Sequence, residues 1–281
     1  MTSQNLDLAG LRRVYGRPGS RIFYTLVAKN ARHWGWTEPG QSRWRMWRAQ
    51  RQLEDVLGKK LDLPAGAHVL DAGCGSGVVA RAMASRFGLK VTGIDVLDFN
   101  IRQARRINAR AALETRNRFE WGDFHRLDFP DESFDGAYSM ETLVHAHDVQ
   151  QVLAEMFRLL RPGGRLVLIG PTTAPLEDMS PQSRAVMEPY FQDMACHGLQ
   201  HYSTGDLERI LEKVGFHVDE VLDVTENHLP TTTALHDLFR VPYALVGAVS
   251  DTKKWLNLRS VVEMAHAREF SHWIHTATKP R

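Results

Sequence analysis

Residues 69–77, Val-Leu-Asp-Ala-Gly-Cys-Gly-Ser-Gly, constrain this chain more than any other stretch. A short apolar run passes directly into three glycines at alternate positions, and helical spacing follows from Val78 to Phe87, with Gly88 as its stop. Glycines so placed let the backbone bend tightly and keep side chains away from a ligand that presses on the main chain. The helix that follows aims its first amides at that ligand. Strand, glycine turn and helix together form the first unit of an α/β fold built on a parallel sheet.

The unit repeats as far as residue 170. Strands are predicted at His68–Asp71, Lys90–Asp95, Phe119–Asp123, Phe134–Met140 and Arg165–Ile169, with helices at Val78–Phe87, Ile101–Ala112 and Val149–Leu160 between them. Arg161-Pro162-Gly163-Gly164 ends the third helix and turns the chain into the fifth strand. Residues 171–202 carry Pro171, Pro175, Pro181 and Pro189 without a sustained period and read as a cap. A helix at Asp206–Val214, with Thr204 as N-cap and Gly215 as stop, precedes a sixth strand at His217–Thr225. After a second insertion at 226–269, Phe270–Thr276 returns as a final edge strand. The expected fold is therefore α/β and doubly wound, with helices on both sheet faces. An N-terminal helical arm or cap spans residues 1–60, and the main domain spans 61–281 with cap insertions near 171–202 and 226–269.

At 281 residues, 43% hydrophobic and 24% charged, the chain has the balance of an ordinary globular protein. No apolar run is long enough for a membrane span, and arginines interrupt everything before Phe23, so neither a span nor an export signal is expected. Cys74 and Cys196 lie too far apart for a disulfide framework, which points to a reducing cytoplasm. The net charge of +2 conceals a basic arm, since residues 1–60 hold twelve Lys or Arg against four Asp or Glu. Such an arm suits a polyanion, a membrane surface, a phosphate-bearing substrate or a neighbouring subunit in a homo-oligomer, or else supplies the solvated faces of amphipathic helices. Apolar residues at helical spacing around Arg43-Trp44-Arg45-Met46-Trp47-Arg48 and Leu53, Val56 and Leu57 favour the last of these. No RNA-binding appendage is evident, so nucleic acid is not an expected partner.

The acids around the glycine turn narrow the ligand. A dinucleotide site would show G-x-G-x-x-G, whereas the spacing here is G-x-G-x-G. Asp71 ends the first strand where a pyrophosphate would be repelled and a cation welcomed. The sulfonium and amino group of S-adenosylmethionine make such a ligand. Asp95 either accepts from both ribose hydroxyls or caps the next helix, and Asp123 either accepts from an adenine amino group or closes a turn, with Phe124 beside it to cover the ring.

Taken in order, Val69 to Gly77, Gly93-Ile94-Asp95, Gly122-Asp123, Phe134-Asp135 and Leu159-Leu160-Arg161-Pro162-Gly163-Gly164 resemble the motif set of the class I, Rossmann-like S-adenosylmethionine-dependent methyltransferases, over roughly residues 66–225. The resemblance implies a mostly parallel seven-stranded sheet with an antiparallel last strand, and a cofactor lying over the carboxyl ends of strands one to four. Carried over residue by residue, it assigns the cofactor site to Asp71, Gly73, Cys74, Gly75, Gly77, Asp95, Val96, Gly122, Asp123, Phe124 and Met140.

Methyl transfer from an activated sulfonium requires alignment and exclusion of water more than covalent help. In Ser139-Met140-Glu141-Thr142-Leu143-Val144-His145, the fourth strand ends where a methyl group would point, so Glu141 and His145 are the catalytic candidates. Glu141 can steady a developing cation and take its proton, while His145 is either a base for a hydroxyl or part of the wall. His147, just before Asp148, is expected to serve the helix start. Gly35-Trp36, preceded by Arg32-His33-Trp34, together with Met140-Glu141-Thr142, resembles the sterol and terpenoid C-methylating branch, which implies a small hydrophobic acceptor. Tyr15, Phe23, Tyr24, Trp34, Trp36, Tyr190, Phe191 and Tyr202 can line its pocket, where a cation over a ring gains ~1–2 kcal/mol. Arg17, Arg21 or Arg32 can hold a diphosphate on the acceptor. His197 and His201 have the spacing of metal ligands without a third, so they read as lid residues and no metal is expected.

Overall fold

The computed structural model describes residues 6–200, 202–203, 205–249 and 270–281. Strands β1 (His68–Ala72), β2 (Lys90–Asp95), β3 (Asn117–Trp121), β4 (Phe134–Met140), β5 (Leu160–Thr173), β6 (His217–Asp223) and β7 (Phe270–Thr278) form one sheet in the order β3-β2-β1-β4-β5-β7-β6. The first five pair in parallel, and β7 runs antiparallel to both β5 and β6. This is a doubly wound, mostly parallel α/β sheet. Strand order reverses between β1 and β4, and their carboxyl ends diverge there to open a crevice.

Adjacent residues of a central strand face opposite layers, so both must be apolar when both faces are covered. Val69 and Leu70 are each fully buried, one on either side. Val69 packs with Leu53, Leu57 and Leu61 of the N-terminal helix Met46–Leu61 and with Met83 of the helix Val78–Arg86. Leu70 belongs to the other layer, with Val152, Leu153 and Met156 of the helix Val149–Leu159 and Leu207 and Leu211 of the helix Asp206–Val214.

Several boundaries differ from the sequence reading. The returning segment is not an edge strand: β7 inserts between β5 and β6 and leaves β6 at the edge. β5 begins at Leu160, runs irregularly through the Arg-Pro-Gly-Gly turn, where Gly163 has φ +80°, and continues to Thr173. The cap holds a helix, Pro181–Asp193, which the proline count hid. Pro181 sits in its first turn, where no amide is needed, Ser180 accepts from the Ser183 amide, and Met187 and Phe191 supply one buried face. β6 stops at Asp223 because its carboxylate accepts from the Thr225 amide and hydroxyl, and Thr225 opens the long helix Thr225–Val249. Gly205, with φ +88°, precedes the helix at Asp206, while the proposed cap Thr204 lies outside the described residues.

The arm folds back on its own chain. In the helix Leu8–Gly16, Leu11 packs with Val96, Leu97 and Ala195, which ties the arm to the β2 end and to the cap. Arg43, Arg45, Arg48 and Arg51 are exposed, as the amphipathic reading expects. Against that reading, Trp44 falls outside the helix and is 58% exposed, and Trp47 in its first turn is 46% exposed. Among the described residues no helix is long and apolar enough to cross a membrane.

Candidate active site

Two cavities open at the carboxyl ends of β1 and β4. The first, about 760 Å³, is bounded by the glycine turn, the ends of β2 and β4 and the arm. Of the predicted cofactor residues, Asp71, Gly73, Cys74, Gly75, Asp95, Val96, Phe124 and Met140 line it, as do the catalytic candidates Glu141 and His145. Gly73 and Gly75 adopt φ of +97° and +53°, and the amides of Gly73 and Cys74 donate to the Ile94 carbonyl, so the turn is fastened across β2. A Cβ at Gly73 would lie 2.1 Å from Thr142 Cγ2.

Gly77, Gly122 and Asp123 do not line this cavity. Gly77, at φ +73°, starts the following helix, and a side chain there would enter the Phe119 ring. Gly122 makes room for Leu127 and Ile94. Asp123 Oδ1 accepts from the His125 amide at 3.0 Å and from its ring Nδ1 at 2.6 Å. Burial alone would raise the Asp123 carboxyl, but these bonds outweigh it and hold the group below its usual range. His147 meets the His125 ring at 3.7 Å and donates its amide to it, away from the cavity.

The cavity floor is acidic. Asp71 is buried, its Oδ2 has no hydrogen-bond partner among the described residues, and its carboxyl is pushed up to about 7. Burial is the main cause; the neighbouring Asp95 charge adds to it and the Tyr138 hydroxyl opposes it. Asp95 is also raised by burial, opposed chiefly by Arg32, and it accepts from the Gly75 and Leu97 amides and from Asn100. Two buried carboxylates of like charge, one lacking a hydrogen bond at one oxygen, are built to receive a cation. A cationic ligand needs Asp71 ionised, so affinity is full well above pH 7 and falls as the proton is taken up. We expect affinity for S-adenosylhomocysteine, which keeps its ammonium, to drop by roughly tenfold per pH unit below 7. Calorimetry at pH 8 and pH 6 measures this, and equal affinities would show that the Asp71 charge is not used.

The second cavity, about 960 Å³, shares Tyr15, Arg32, His33, Glu141 and His145 with the first. Its remaining wall is largely apolar and aromatic and includes Phe23, Tyr24, Trp34, Tyr190 and Phe270. Trp36, Phe191 and Tyr202 do not line it and pack in the two core layers instead. Among the described residues Arg32 is the only Lys or Arg on either wall, donating to Asn100 Oδ1 at 2.6 Å with the Tyr15 and Tyr24 rings about it; Arg17 and Arg21 are on neither.

Glu141 stands at the shared wall with φ +59°, a strained backbone for a glutamate, fixed by its amide donating to the Ile169 carbonyl at 2.7 Å. His145 is bound at both ring nitrogens, Nδ1 to the Ala195 carbonyl at 2.8 Å and Nε2 to the Tyr15 hydroxyl at 2.9 Å. Burial lowers it to about 4, so it is neutral, with Nδ1 donating and Nε2 accepting. His197 pairs with Asp7 of the arm, and His201 lies outside the described residues. The sequence reading missed Thr142, which braces the turn by donating to the Gly73 carbonyl, and Asn100, which holds Asp95. Asn100 belongs to no motif, Thr142 was read only as part of Met140-Glu141-Thr142, and only the fold brings the two to the turn.

Comparison with known proteins agrees with this arrangement. Residues 70–168 match the family model described as a methyltransferase domain. An S-adenosyl-L-methionine-dependent Diels-Alderase of Talaromyces variabilis is 32% identical over 263 residues, covering 92% of this chain and 90% of the relative. A 24-methylenesterol C-methyltransferase of Oryza sativa subsp. japonica is 34% identical over 211 residues, covering 72% of this chain and 56% of the relative. In structure, the cyclopropane synthase MmaA2 from Mycobacterium tuberculosis superposes with a TM-score of 0.82 at 15% identity, over 99% of this chain and all of that one. The chain belongs to the class I S-adenosylmethionine-dependent methyltransferases.

Proposed function

We propose that this enzyme methylates a carbon of a neutral, isoprenoid-like acceptor held in the aromatic cavity, with Glu141 beside the point of transfer. The observation that carries the reading is the shared wall, since an acidic glycine-lined cleft and an aromatic cavity meet at Glu141. In this reading Gly73 to Gly75 and Asp71 hold the methionyl end of the cofactor, Asp95 the ribose and Phe124 the adenine ring; Asp123 acts on adenine only through the strand end it closes. S-adenosylmethionine supplies the activated methyl group. An alkene of the acceptor forms the new carbon–carbon bond, and the resulting positive charge on the acceptor faces aromatic rings and the Glu141 carboxylate. Glu141 then takes a proton from the adjacent carbon. A single arginine among the described wall residues is a poor match for a diphosphate, which favours an uncharged acceptor.

Incubating the enzyme with methyl-labelled cofactor and a panel of uncharged polyenes, prenyl diphosphates and phenols tests this. Label on carbon of a polyene supports the proposal, and label on oxygen alone refutes it. The rival reading, O- or N-methylation with His145 as base, gives a different mutational result. A neutral His145 engaged at both nitrogens is a wall residue that sets Tyr15, so His145→Gln should reduce kcat by less than about tenfold. A loss in the 10²–10⁴ range of a general base, at unchanged KM, would restore the rival.

The name of the Talaromyces relative favours a second outcome, in which the acceptor cyclises in the same cavity after methylation. A product both methylated and one ring richer would show it.

A further inference from the structure

Glu141, His228 and His272 converge from the end of β4, the helix Thr225–Val249 and β7, three segments remote in sequence. One ligand atom from each lies within 4.8 Å of the other two. Among the described residues Glu141 Oε1, His228 Nε2 and His272 Nε2 are all buried without a hydrogen-bond partner, and only a 3.5 Å contact joins Glu141 Oε1 to His272 Nε2. Three such atoms at one point are costly unless one partner satisfies all of them. The imidazole rings stack with centroids 3.5 Å apart, the Trp34 ring meets His228 edge-on, and the His272 amide donates to Thr225 Oγ1, so the cluster is held in place.

We propose that Glu141, His228 and His272 form a binding site for a first-row divalent transition metal such as zinc. Two imidazoles and a carboxylate are the donor set of such ions and unsuited to magnesium or calcium, which take oxygen ligands. Ligand atoms around zinc sit about 3.4 Å from one another, so modest side-chain rotation closes the observed spacing. Three protein ligands leave a coordination position open. The site shares Glu141 with the methyl-transfer proposal, and filling it draws the carboxylate charge away from the acceptor. The metal thus acts as an inhibitor of alkene methylation.

The test titrates chelator-stripped, full-length protein with cobalt(II) and follows the visible absorption of the bound ion. One saturable equivalent is expected, displaced by zinc and unaffected by millimolar magnesium. His228→Gln and His272→Gln should each weaken it at least a hundredfold while still binding S-adenosylhomocysteine, whereas His197→Gln, outside the cluster and paired with Asp7, should bind as the parent does. Absence of a saturable one-equivalent signal in the parent protein overturns the proposal whatever the variants do. A signal that survives the His228→Gln, His272→Gln double variant overturns it as well. These outcomes are independent of the methyl-transfer reading, which stands or falls on the turnover of the metal-free enzyme and its Glu141 variant.

Discussion

Glu141→Gln in the metal-free enzyme should lower kcat by about 10²–10³ while changing the affinity for S-adenosylhomocysteine less than twofold. The amide keeps the size of the carboxylate and loses both its charge and its ability to take a proton, and groups aimed at charge that develops in a transition state carry effects of this size. Glu141 is held where it is by its environment, because its backbone sits at φ +59° and is fastened to the Ile169 carbonyl. Strain of that kind costs on the order of 1–3 kcal/mol and persists only where its surroundings enforce it. Single-turnover kinetics on a polyene acceptor, with calorimetry for the cofactor product, measures both halves. Unchanged turnover would remove Glu141 from the chemistry. A parallel loss of cofactor affinity would make it a binding residue instead.

Gly73→Ala is expected to act on fold and cofactor together. The added methyl lands 2.1 Å from Thr142 Cγ2, a stiff β-branched side chain, at a φ of +97° that only glycine adopts readily. Overpacking plus backbone strain should cost about 2–4 kcal/mol, or roughly 5–10 °C in Tm for a domain of this size. Affinity for S-adenosylhomocysteine should fall more than a hundredfold, because the cradle itself is displaced. Adding Thr142→Ser removes the clashing methyl and should recover part of the Tm but little of the affinity. Full recovery of both would mean that the clash alone mattered and the left-handed turn did not. Differential scanning calorimetry and titration of the single and double variants separate these cases.

What the residues disclosed in advance follows local physics. Val69 to Gly77 carries its own instructions, a strand that must be apolar on both faces and a turn that must lack side chains, so β1, the turn and the acids Asp71 and Asp95 were legible. The same logic failed where structure depends on distant partners. β7 is an interior strand because β5 extends to Thr173 and offers nine residues of antiparallel pairing, which nothing in Phe270–Thr276 announces. The cap helix Pro181–Asp193 was hidden by prolines, one of which starts it. Asp123 was read either as an adenine acceptor or as a turn residue, and its carboxylate goes to His125, two residues away. The trio Glu141, His228 and His272 had no signal in the sequence, since only the sheet order brings β7 beside β5 and, through it, beside the end of β4.

A crystal structure of the complex with S-adenosylhomocysteine tests the central claim most directly, because it fixes the sulfur from which the methyl leaves. We expect the amino group beside Asp71, the ribose on Asp95, the adenine against Phe124, and the sulfur at the junction of the two cavities, facing Glu141 and the aromatic wall. A sulfur turned away from that wall, or an adenine seated among Phe23, Tyr24 and Trp34, would contradict it.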